Sequence, residues 1–97
     1  MTTHAKRLSS TEQLSTCVDL QQSILGERAR SIWSVSALTA VCQSGGLILG
    51  ACASEDGSGT LHGALVDLVA EVDGYPARHT VFHGVRPSQR NRGLGAA

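Results

Sequence analysis

Val85-Arg86-Pro87-Ser88-Gln89-Arg90-Asn91-Arg92-Gly93-Leu94-Gly95-Ala96-Ala97 closes the chain in the pattern V-x-P-x-x-R-x-x-G-x-G. This order predicts a strand ending at Val85, a proline that stops its pairing, and a basic, glycine-punctuated loop that opens a helix. Successive backbone N–H groups in such a loop, at the positive end of a helix, cradle phosphate. Gly93 and Gly95 allow the backbone close approach and left-handed dihedrals. Arg90 and Arg92 set positive charge beside the cradle. A dinucleotide-binding G-x-G-x-x-G needs its strand to run almost directly into the first glycine. Here seven residues separate Val85 from Gly93, which disfavours it.

Working outward, charge is distributed unevenly along a chain whose formal net charge is zero. Residues 1–77 carry Lys6, Arg7, Arg28 and Arg30 against all eight acids, a balance of −4. Residues 78–97 carry Arg78, Arg86, Arg90 and Arg92 and no acid, a balance of +4. That suits an anionic ligand such as a pyrophosphate. It is thin for nucleic acid, since no aromatic residue lies among Arg86, Arg90 and Arg92, and Phe82 and Tyr75 are the closest in sequence.

Ninety-seven residues make one small domain, and 41% apolar with 16% charged residues is globular composition. Cys17, Cys42 and Cys52 are odd in number and widely spaced, which speaks for reduced, buried thiols and a cytoplasmic protein rather than a disulfide or zinc framework. Lys6-Arg7 has no apolar run behind it to make a signal peptide, and no stretch approaches the ~20 apolar residues of a membrane span.

Upstream of the motif, residues 3–8 read as a short first strand. Ser10-Thr11-Glu12-Gln13 is a capping box, followed by Leu14, Cys17, Val18, Gln21, Ile24 and Leu25 at helical spacing up to Gly26. Glu27 to Ser31 is a polar loop. A second helix is predicted over about Val35 to Gln43, with Ser34 as cap, Val35, Leu38, Val41 and Cys42 inward, and Gly45-Gly46 ending it. Trp33 is a packing anchor first and a ligand contact second. Leu47 to Ala53 is a continuous apolar run, as for a strand covered on both faces. Asp56-Gly57-Ser58-Gly59 signals a turn. Thr60 to Val72 predicts a long strand with its even positions buried throughout, Asp73-Gly74 a second tight turn extended by Tyr75-Pro76, and His79 to Val85 the next strand. The result is a strand, two helices and an antiparallel three-strand meander.

Residues 85–97, by their V-x-P-x-x-R-x-x-G-x-G pattern, resemble the acyl-CoA-binding motif of the Gcn5-related N-acetyltransferases (GNAT), and the order of elements is similar to the first half of that α/β fold. The resemblance implies that backbone groups of Gly84, Val85 and Arg86 meet the pantetheine arm. It implies that Arg90, Asn91, Arg92, Gly93, Leu94, Gly95 and Ala96 hold the pyrophosphate of acetyl-CoA or another acyl-CoA. It further implies transfer of the acyl group to a primary amine by direct attack on the thioester, with no metal. A long helix follows the motif in that family, so residues 1–97 are expected to be the N-terminal half of one such domain. Alone, they are expected to bind CoA weakly or not at all and to show no measurable transfer.

Such a reaction needs a base for the amine. Candidates are His79 and His83 on the motif strand, four apart and therefore expected on one sheet face, and Glu71 on the neighbouring strand. Ordinary strand histidines are the plain alternative, and no third ligand lies at a spacing that would make the pair a metal site. The family's acid is a tyrosine beyond the motif, which Tyr75 does not match. The motif strand should form an open edge through which copies self-associate. A different class of function is a non-catalytic remnant or interaction module without CoA chemistry.

Overall fold

The computed structural model describes residues 4–52 and 60–87. In chain order these form β1 (His4–Arg7), α1 (Thr11–Leu25), α2 (Val35–Gln43), β2 (Leu47–Cys52), β3 (Gly63–Val72) and β4 (Tyr75–Val85). The strands make one sheet in the order β1-β2-β3-β4, every neighbouring pair antiparallel.

Local chemistry sets the helix limits. Ser10 Oγ accepts the Gln13 N–H, and Gln13 Oε1 returns to accept the Ser10 N–H, closing the capping box. Ser34 Oγ caps α2 by accepting the Ala37 N–H. α1 buries Leu14, Cys17, Leu20 and Gln21 and leaves Leu25 exposed, so its inward stripe includes Leu20 and stops short of Leu25. With Leu38 and Val41 of α2, these side chains form one core against Ile48, Cys52, Ala64 and Val66 of the sheet. Both helices therefore cover the same sheet face.

Two expectations about the strands need correction. β2 is not covered on both faces: Ile48, Gly50 and Cys52 are buried, while Leu47, Leu49 and Ala51 on the other face stay half-buried. Burial of the even positions of β3 also fails to last its whole length, because β2 pairs with β3 only as far as Asp67. Beyond it, β3 and β4 run on as a two-stranded ribbon, where Val69, Val72 and Tyr75 are exposed.

The ribbon turns at Asp73-Gly74, whose φ values of 52° and 83° are the paired left-handed positions of a two-residue hairpin. Tyr75 and Pro76 do not extend this turn. They open β4 opposite Val72 and Glu71. A hydrogen-bonded Val72–Tyr75 pair next to the turn puts position 76 out of the ladder, where a missing N–H costs nothing. The predicted turn at 56–59 lies outside the described residues.

Candidate functional site

β4 is the terminal strand of the sheet among the described residues, and its last three positions lead into the motif. Gly84 sits beneath α1: a Cβ there would lie 2.8 Å from Phe82 Cζ and 2.9 Å from Ile24 Cδ1. Val85 stands opposite Gly63, and Arg86 follows. The Arg86 N–H donates to the His62 carbonyl at 2.7 Å, Nε–H to the Leu61 carbonyl at 3.1 Å and Nη1–H to Ser23 Oγ at 2.7 Å. Arg86 thus ties the exit of β4 to the start of β3 and to the last turns of α1. Its backbone donor is used within the sheet. Arg90, Asn91, Arg92, Gly93, Leu94, Gly95 and Ala96, the expected pyrophosphate cradle, lie outside the described residues.

The base candidates are not brought together. Val66 stands opposite Phe82 and Asp67 opposite Thr80, so Val81 is an extra residue in β4. This bulge reverses the alternation of side chains. His83 opposes Leu65 and shares its face with Asp67, whereas His79 opposes Leu68 on the helix-covered side. The expectation that both histidines share one face is therefore wrong, because simple period-2 counting does not survive an inserted residue. Both imidazoles are exposed. Glu71 is exposed opposite Pro76, six positions along β3 from the partner of His83, about 20 Å at strand rise. Among the described residues no cluster of three or more His, Cys, Asp or Glu could hold a metal.

A second polar arrangement ties α1 to the segment before α2. Gln21 is completely buried; its Nε2 donates to the Trp33 carbonyl at 3.0 Å and its Oε1 accepts the Trp33 N–H at 2.6 Å. Trp33 itself is half-buried against the core, beside a shallow cleft of about 410 Å³ lined by Arg30, Ser31, Ile32, Trp33, Ser34 and Ala37. Cys17, one turn before Gln21, has its thiol pushed up to about 11 by burial, with the Gln21 amide acting in the opposite direction. A thiol held neutral in this way is a packing group rather than a nucleophile.

The sequence missed the Val81 bulge and the Arg86–Ser23 link. Neither leaves a local signal: no glycine marks the bulge, and the link spans 63 positions. Gln21, by contrast, was visible as the one polar residue in an apolar stripe.

No family model matches the chain, and no curated protein does. Solved structures do. A Trypanosoma brucei acetyltransferase superposes on 98% of this chain with a TM-score of 0.72 at 18% identity. An aminoglycoside acetyltransferase from an uncultured soil metagenomic sample, in complex with sisomicin, does so over 96% with a TM-score of 0.74 at 15% identity. The fold is that of the GCN5-related N-acetyltransferases. A GCN5-related glucosamine N-acetyltransferase region of a fungal multi-domain GH3 β-N-acetylglucosaminidase is similar to the same extent, with a TM-score of 0.74 over 97% of this chain at 17% identity. This chain spans 68%, 62% and 11% of the lengths of those three chains, respectively. The two helices and four antiparallel strands are thus a GNAT-type arrangement, and at these identities the likeness is one of fold.

Proposed function

We propose that this chain is the N-terminal half of an acyl-CoA-dependent N-acyltransferase, with acetyl-CoA as donor and a primary amine as acceptor. The observation that carries this is the position of V-x-P-x-x-R-x-x-G-x-G, immediately after the terminal strand of a GNAT-type sheet. In this proposal the backbone of Gly84 and Val85 and the carbonyl of Arg86 meet the pantetheine amides, and Arg90 to Ala96 hold the pyrophosphate. The amine nitrogen bonds to the thioester carbon, the C–S bond breaks, a base takes the amine proton and the departing thiolate gains one. Of the three base candidates, His83 lies nearest the proposed pantetheine contacts, two residues from Val85. His79 and Glu71 stand further along the ribbon.

Two of the similar structures are named for amino-sugar chemistry, an aminoglycoside and a glucosamine acetyltransferase. An amine on a polyhydroxylated sugar is accordingly the first acceptor class to test. Three cysteines outside any disulfide among the described residues fit a reducing, cytoplasmic setting. Activity is proposed for the whole fold. The 97-residue chain alone is expected to bind acetyl-CoA only weakly and to transfer nothing measurable, because it spans well under the full length of the enzymes it is similar to.

Saturation-transfer NMR on mixtures of the chain with acetyl-CoA tests the proposal. Signal on both pantetheine and adenosine protons, displaced by CoA and not by an oligonucleotide, is expected. Displacement by the oligonucleotide and not by CoA would assign the basic terminus to nucleic acid instead.

A further inference from the structure

We infer that the Thr80 hydroxyl and the Asp67 carboxylate form a latch that fixes where β4 accommodates its surplus residue, and with it the face that His79 presents. The latch belongs to the sheet itself and stands apart from the acyl-CoA reading. Two pairings bound the region. At the core end Val66 stands opposite Phe82, and at the turn end Val72 stands opposite Tyr75. Between them β3 takes six steps and β4 seven. Both ends are held, one by buried Val66 with Phe82 packed against the core, the other by the left-handed pair Asp73-Gly74. One residue of β4 must therefore stay unpaired somewhere in this interval.

Side chains decide where. With the bulge at Val81, Thr80 stands opposite Asp67, and its Oγ1 donates to Asp67 Oδ1 at 2.6 Å, a charge-assisted bond. Val81 at the same time packs against the core beside Phe82. Any placement nearer the turn puts Val81 opposite Asp67, where it offers the carboxylate no donor and leaves the core side of the strand. A bulge moved past Val69 also puts His79 opposite Val69, on the face shared by Asp67 and His83. The latch stands at a border. Asp67 is the last residue of β3 that pairs with β2, opposite Leu47, and beyond it the ribbon has two strands. Thr80 and Asp67 therefore fasten the ribbon to the part of the sheet that the helices hold.

The test uses the full chain, with amide hydrogen exchange and cross-strand proton contacts read by NMR. Thr80→Val keeps the branched shape and removes the hydroxyl. Exchange at residues 67–70 and 77–81 is then expected to quicken about fivefold, the factor one exposed hydrogen bond supplies, while β1 and β2 keep their rates. Thr80→Ser and Thr80→Lys each return a donor to Asp67 and should restore wild-type rates. Asp67→Ala should match Thr80→Val, and combining the two should add nothing further. Thr80→Val together with Val81→Thr moves the donor one position along, and should bring position 81 opposite Asp67. Position 80 still opposite Asp67 in that chain, or unchanged exchange in Thr80→Val, would overturn the latch. Contacts of Val66 with Phe82 and of Val72 with Tyr75 should persist in every variant, and their loss would overturn the count of steps between two fixed ends.

Discussion

His79 and His83 stand four positions apart in β4 and face opposite sides of the sheet, because Val81 is inserted between the residues that pair with Val66 and Asp67. One thioester cannot be served by both. In a polypeptide that completes the fold and transfers acyl groups, His83→Ala is expected to lower kcat/KM by about 10²-fold or more. His79→Ala should change kcat/KM by less than about threefold. Equal losses in both variants would contradict the assignment.

Gln21 holds the segment before α2 by pairing with both backbone groups of Trp33. Gln21→Leu fits the buried space but strands a donor and an acceptor, at a cost of about 2–4 kcal/mol. Gln43→Leu, at an exposed position on α2, should change stability by no more than about 0.5 kcal/mol. Urea unfolding of the two variants beside the wild type measures the difference.

Cys17 makes stability fall at alkaline pH. The folded state keeps its thiol proton up to about pH 11, while the unfolded chain releases it near the ordinary value of 9.0. Between these values the unfolded state binds fewer protons, so this contribution is fully present below pH 9.0 and is lost as pH rises toward 11. The slope is at most about 1.4 kcal/mol per pH unit. Unfolding midpoints across that window should decline more steeply for the wild type than for Cys17→Ala.

Two glycines at close contacts differ in what they meet. A Cβ on Gly46 would lie 2.7 Å from the Asp67 carbonyl oxygen and 2.8 Å from that of Val41, both main-chain atoms that cannot swing aside. On Gly84 it would meet the ends of Phe82 and Ile24, which can repack. Gly46→Ala is expected to cost about 3 kcal/mol and Gly84→Ala about 1 kcal/mol, read from denaturant curves.

Among the described residues β4 is an eleven-residue edge strand with Val81 and Phe82 near its middle, the kind of edge that can pair with another copy. We expect concentration-dependent association in sedimentation velocity, reduced by Thr80→Lys at an exposed position of that strand. Association that persists unchanged in the variant would place the contact elsewhere.

Much of this fold was legible because local chemistry and global arrangement agree. The Ser10 and Ser34 caps and the tight turn at Asp73-Gly74 each act within a few residues and stand where the sequence predicts, as does the α1 stripe apart from Leu20 and Leu25. What was not legible depends on pairing between distant segments. Where β2 stops covering β3 decides that Val69 and Val72 are exposed, and no property of those residues announces it. The same holds for the site. Gly84, Val85 and Arg86 could be picked out from the motif, but the bonds from Arg86 to Leu61 and Ser23 belong to the assembled sheet and helix. The bulge at Val81 belongs to strand register, and it alone reassigned the two histidines.

The most direct test is an acetyl-CoA titration of the uniformly ¹⁵N-labelled chain, mapping amide shifts by residue. A donor lying along the end of β4 predicts the largest shifts at His83, Gly84, Val85, Arg86 and the arginine- and glycine-rich residues after them. Shifts centred instead on the Trp33 cleft would contradict it.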